Sequence, residues 1–142
     1  MTRLLALIAI ALIASVGALI GLMSLYLPGV SLGEVLISTS VVTKLCLMLA
    51  LVLGVVGVIG AVSRSTVLTR IASGAGVLIG LLGAVYVELI NQLALAAIGP
   101  VTFAVTAASR AESLISLALG LGVALISLGL LRLRSGRPER VL

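Results

Sequence analysis

Four stretches of this chain run for nineteen or more residues with at most one charged side chain: 4–27, 45–63, 71–98 and 113–131. Glu88, within the third, is the one interruption. A bilayer's hydrocarbon core is about 30 Å thick and takes about 20 residues of α-helix to cross. Inside lipid every backbone polar group needs an internal partner, so a spanning segment is a helix or part of a closed barrel. These runs lack the strict alternation of barrel strands. They predict an all-α membrane protein with four transmembrane helices. The whole of 1–142 is expected to form a single transmembrane domain, with 132–142 as a basic tail.

Composition narrows the function classes. The chain is 62% hydrophobic and 9% charged, whereas a soluble domain is about half apolar and about a quarter charged. Too few charges remain to cover a water-facing surface, which excludes an ordinary soluble globule and a disordered tail. His, Trp and Asp are absent and there are four Glu. Most metal sites and every His-dependent triad are therefore excluded. Lys44 sits at a span boundary and makes a poor Schiff-base candidate, and serines such as Ser113 and Ser116 have no evident base beside them. No enzyme activity, cofactor or metal is expected. A net charge of +5 and a pI near 10.8 would suggest nucleic acid in a soluble protein. Here the charges lie between apolar runs instead of clustering with aromatics, so no nucleic-acid partner is expected. The lone Cys46 reads as a structural buried thiol.

The basic residues predict orientation. Arg3, Arg64, Arg70, Arg132, Arg134, Arg137 and Arg140 fall on one side of a four-span arrangement, against Lys44 and Arg110 on the other. Short loops rich in Lys and Arg stay cytoplasmic. Both termini and the 63–70 turn are expected inside, in the cytoplasmic membrane. Tyr26, Tyr86 and Phe103 then lie near the outer boundary, where tyrosines are favoured. The first run has features of a secretory signal. Its length, its Pro28-Gly29 stop and the lack of a small-x-small cleavage site favour a span.

Small residues show how the helices would meet. Lipid is as apolar as Leu, so helices associate through close backbone approach. Ala14, Gly17, Gly21 and Ser24 form one stripe, and Ser73, Gly76, Gly80 and Gly83 repeat its spacing. Both read as helix-packing seams, with self-assembly as the alternative use. Gly54, Gly57 and Gly60, and then Ala118 and Gly122, suggest further close contacts. Thr2-Arg3 and Thr69-Arg70, Pro28 and Pro100, and Arg64-Ser65 and Arg134-Ser135 recur at offsets near 70 residues. That pattern suggests two tandem helical hairpins related by a pseudo-twofold axis along the membrane normal.

The outer loops, 28–43 and 99–112, hold β-branched runs such as Val35 to Val41 and Val101 to Thr106. They predict a small outer β element, with short helices as the competing view. The basic tail is expected to lie against anionic headgroups. One polar cluster lies within a span: Glu88, Asn91 and Gln92, spaced to share a helix face. An ionisable residue there suggests a proton or cation pathway. However, Glu88 sits about 26 Å into its span at helical rise, near the outer headgroups. An interfacial anchor or an ion pair with Lys44 or Arg110 is the plainer expectation.

Several motifs resemble a loose class of small prokaryotic four-span membrane proteins of unknown function. They are Leu27-Pro28-Gly29-Val30-Ser31 after the first span, the basic turn at 63–70, Tyr86-Val87-Glu88-Leu89-Ile90-Asn91, and the Arg tail. Members of that class often carry Trp after the proline, where this chain has Gly29. In composition the chain is also similar to conjugation-type pilins, which are short Ala/Gly/Val/Leu-rich hairpins with a basic turn. The expected role is a non-catalytic accessory or structural subunit acting through helix packing. Its expected partners are membrane lipid and other membrane subunits or itself. The alternatives are a self-assembling pilin-like subunit and a small transporter or channel component using Glu88.

Overall fold

A computed structural model describes residues 2–99 and 101–135. Five helices follow one another: α1 (Thr2–Tyr26), α2 (Leu32–Ser38), α3 (Val41–Val62), α4 (Thr66–Ile98) and α5 (Phe103–Ser135). Of these, α1, α3, α4 and α5 are long and apolar enough to cross a membrane. The outward surface suits that medium. Ile13, for instance, is 70% exposed, and large apolar side chains stand out along every long helix. Water tolerates only small contiguous apolar patches of this kind. Pro100, Arg137, Arg140 and the rest of the tail beyond Ser135 lie outside the described residues.

The expected β element is corrected: no strand occurs among the described residues. In the first loop Ser31 caps α2. Its Oγ accepts from the Glu34 backbone N–H at 3.2 Å, while a Glu34 carboxylate oxygen accepts from the Ser31 N–H at 2.8 Å. This reciprocal capping box satisfies two otherwise orphaned donors, and it overrides the β preference of Val35 and Ile37. In the second loop Ala104, Ala107, Ala108 and Ala111 lie within a helix that begins at Phe103, well before the expected span at 113. Ala is the strongest helix former, and only Val101 and Thr102 stay outside. We expect Ser31→Ala to cost about 1 kcal/mol at this cap. Faster amide exchange at Glu34 and Val35, with α3–α5 unchanged, would register it.

Packing centres on α5. Helices α1, α3 and α4 all lie along it, α2 touches it, and α3 also packs on α4. No comparable contact joins α1 to α3 or α4. The two halves therefore do not form like hairpins: α4 lies along α5, but α1 does not lie along α3. One reason is length, since α4 and α5 each have 33 residues against 25 and 22 in α1 and α3.

The seams differ as well. Thr69, Ser73, Gly76, Gly80, Gly83, Val87 and Asn91 form one buried row on α4. At its middle, Gly80 meets Gly120 of α5 so closely that a Cβ on Gly80 would lie 2.9 Å from the Gly120 Cα. Val123 faces Gly54 and Gly76, Ser127 faces Gly57, and Ser116 faces Gly83. On α1 only Ser15 and Leu19 are buried. Leu19 joins Val35 and Ala111, with Leu22, Met23, Leu114 and Ile115 around them. The Ala14–Gly17–Gly21–Ser24 stripe lies on the opposite side of α1. Ala14, Gly17 and Ser24 are exposed, and a Cβ on Gly17 or Gly21 would meet nothing within 4 Å.

The turn between α3 and α4 closes with the Ser65 N–H donating to the Gly60 carbonyl at 2.9 Å. That six-residue closure needs a left-handed residue just after the helix. Arg64 takes it, at φ 59°, although glycine usually stands there. Close by, Arg134 donates to the Val62 carbonyl, and Arg132 shares a recess with Thr2 and Leu5 of α1. One end of the bundle thus gathers arginines. The other carries Tyr26, Phe103, Arg110 and Glu88.

Candidate functional site

The polar cluster of α4 divides between two surroundings. A Glu88 carboxylate oxygen accepts from the Gln92 side-chain amide at 3.0 Å, one turn along the helix. Asn91 continues the buried row instead, at 8% exposure, and its Nδ2 has no hydrogen-bond partner. Glu88 and Gln92 thus pair on the flank while Asn91 faces the bundle. Helix spacing alone placed them together, but the 60° between i and i+3 is enough to separate the bundle-facing row from its flank.

Glu88 opens into a cleft of about 480 Å³. Ala18, Leu22, Leu25 and Tyr26 of α1 form one wall, and Phe103, Arg110, Ser113 and Leu114 of α5 form the floor. The cleft exists because α1 and α4 both lie on α5 without packing on each other. Three side chains stack along its rim. The Tyr26 and Phe103 rings lie 4.8 Å apart at 56°, and the Arg110 guanidinium sits 4.5 Å from the Phe103 ring centre. A guanidinium over an aromatic face is attracted by the ring quadrupole, which fixes Arg110 without a carboxylate. Its Nε is buried and has no hydrogen-bond partner.

The expected ion pair is not formed. Among the described residues neither Lys44 nor Arg110 lies within ion-pair distance of Glu88. Lys44 Nζ donates instead to the Ile37 carbonyl at 2.7 Å, at the end of α2. The Ser40 N–H, at the N-cap of α3, donates to Glu112 Oε1 at 3.3 Å. A carboxylate at a helix N-terminus is favoured by the exposed N–H groups there. Glu112 is thus a tie between α5 and α3 that sequence reasoning missed. Its 72-residue separation from Ser40 left no local signal.

Among the described residues no three His, Cys, Asp or Glu side chains gather as a metal site would require. Cys46 is half-buried near Gly83. Further along α4 from Asn91, the seam with α5 is closed by main chain against main chain at Gly80 and Gly120. Comparison with protein-family models, curated proteins and solved structures returned no match.

Proposed function

We propose that this chain is a non-catalytic multi-pass protein of the cytoplasmic membrane, an accessory or structural subunit that works by helix packing, with α1 as its contact helix. One observation carries the reading. The small-residue spacing that makes the closest backbone contact in the bundle, on α4, recurs on α1 facing away from α5 with nothing against it. Small stripes let a neighbouring helix approach closely in lipid. The arginine bias supports termini and the α3–α4 turn on the cytoplasmic side. Arg64, Arg132 and Arg134 at one end of the bundle agree with it.

Cross-linking in native membranes tests this reading. In a Cys46→Ser background, Gly17→Cys and Gly21→Cys are expected to link to a second helix. Val55→Cys, on the exposed face of α3, is expected not to. A ladder of the chain's own multiples supports self-assembly, and a discrete adduct to another protein supports an accessory subunit. Equal or absent linking from α1 and α3 overturns the proposal. With the cysteine placed instead at Ala14, exposed on the same stripe, Gly17→Leu with Gly21→Leu is expected to abolish the link while leaving unfolding in detergent unchanged.

A further inference from the structure

We propose that the cleft between α1 and α4 binds one zwitterionic phospholipid, its phosphate on Arg110 and its headgroup ammonium on Glu88. The inference needs the membrane but neither the orientation nor the α1 contact proposed above.

Two opposite charges share this cleft and do not pair with each other. The Arg110 guanidinium has aromatic carbon on one side and a buried Nε with no partner. A buried guanidinium N–H without an acceptor is costly. Phosphate matches the planar fork of arginine with two parallel hydrogen bonds. Glu88 has one oxygen on Gln92, leaving the carboxylate with acceptor capacity for an ammonium. An anionic lipid would satisfy Arg110 and be repelled by Glu88, whereas a zwitterion satisfies both. Leu22, Leu25 and Leu114 line the same cleft with apolar side chains. The volume of about 480 Å³ falls in the ordinary range for a ligand pocket, about 300–1,000 Å³. It suits a headgroup with the first methylenes, the chains running on along α1. Tyr26 at the rim has the amphipathic ring favoured at headgroup level.

The test is native mass spectrometry of the full chain, released from nanodiscs holding equal phosphatidylethanolamine and phosphatidylglycerol. The wild type is expected to retain one phosphatidylethanolamine, at roughly tenfold over phosphatidylglycerol, as charge-assisted hydrogen bonds on both groups imply. Glu88→Gln is expected to keep a lipid but lose or reverse the preference. Arg110→Gln is expected to lose both adducts by about the same factor. Ser113→Leu, which fills the floor and keeps both charges, should lower retention without changing the preference. Unchanged helical circular dichroism and monodisperse elution exclude misfolding as the cause.

Equal retention by wild type and Arg110→Gln overturns the proposal. So does a lipid preference that Glu88→Gln leaves untouched. Displacement by soluble glycerophosphoethanolamine at millimolar concentration, with no retained diacyl lipid, would assign the site to a free zwitterion and overturn the lipid reading.

Discussion

Gly80→Ala is expected to destabilise the bundle by about 2–3 kcal/mol, the upper part of the range for forcing a methyl group into a filled interior. The new Cβ would lie 2.8 Å from the Ser116 carbonyl oxygen and 2.9 Å from the Gly120 Cα. Both are main-chain atoms and cannot rotate aside. Gly120→Ala meets the same obstacle from the other helix, at 2.6 Å from the Gly76 carbonyl oxygen. The two helices would have to part along their whole crossing, losing the contacts of Val123 and Ser116 as well. Gly80→Leu is expected to leave no stable bundle. Gly17→Leu, Gly21→Leu and Gly74→Leu introduce the same side chain where nothing lies within 4 Å. They should shift stability by no more than about 0.5 kcal/mol. Unfolding of the purified chain in mixed micelles by increasing SDS reads the difference. A Gly80→Leu protein with the wild-type midpoint would show that α4 and α5 do not meet as described.

The second large effect is expected at Ser127, and it depends on what replaces the serine. Ser127 is fully buried against Gly57 of α3, and Ser116 is 1% exposed against Gly83 of α4. Both hydroxyl oxygens lack a hydrogen-bond partner. Serine is here for its size. Ser127→Ala removes an unsatisfied polar atom at almost constant volume and should be neutral or stabilising by about 1 kcal/mol. Ser127→Leu drives a branched side chain into the α3 backbone and should cost more than about 3 kcal/mol. Ser116→Ala and Ser116→Leu are expected to follow the same order. The same SDS titration decides it. If Ser127→Ala were the worse of the pair, the hydroxyl would have a bonding role in place of a spatial one.

Long-range chemistry and local chemistry were not equally legible. The four long helices follow from uncharged length alone, because lipid leaves the backbone few alternatives. The α4 seam was readable from Ser73, Gly76, Gly80 and Gly83, since small residues in a spanning helix have few other uses. The identical spacing on α1 left its partner open: a stripe records that close approach is possible, not which helix approaches. The outer loops were misread by weighing Val35 and Ile37 above Ser31 and Glu34, whose spacing is itself a helix-start signal. The candidate site was only partly visible. Glu88 stood out as the one charge within a span. Arg110, Tyr26 and Phe103 come to it from two other helices, and only the α5-centred packing brings them into one cleft.

The central place of α5 has a bearing on biogenesis. Synthesis runs from the amino terminus, so α5, on which every other long helix leans, is made after all three of them. Until then α3 and α4 can pair, whereas α1 has entered the bilayer with no resident neighbour. Until α5 emerges, α1 is held by flanking charge and hydrophobic length alone, and the bundle closes only afterwards. A message cut short before residue 103 would yield a three-span product without its keystone, a natural substrate for membrane quality control.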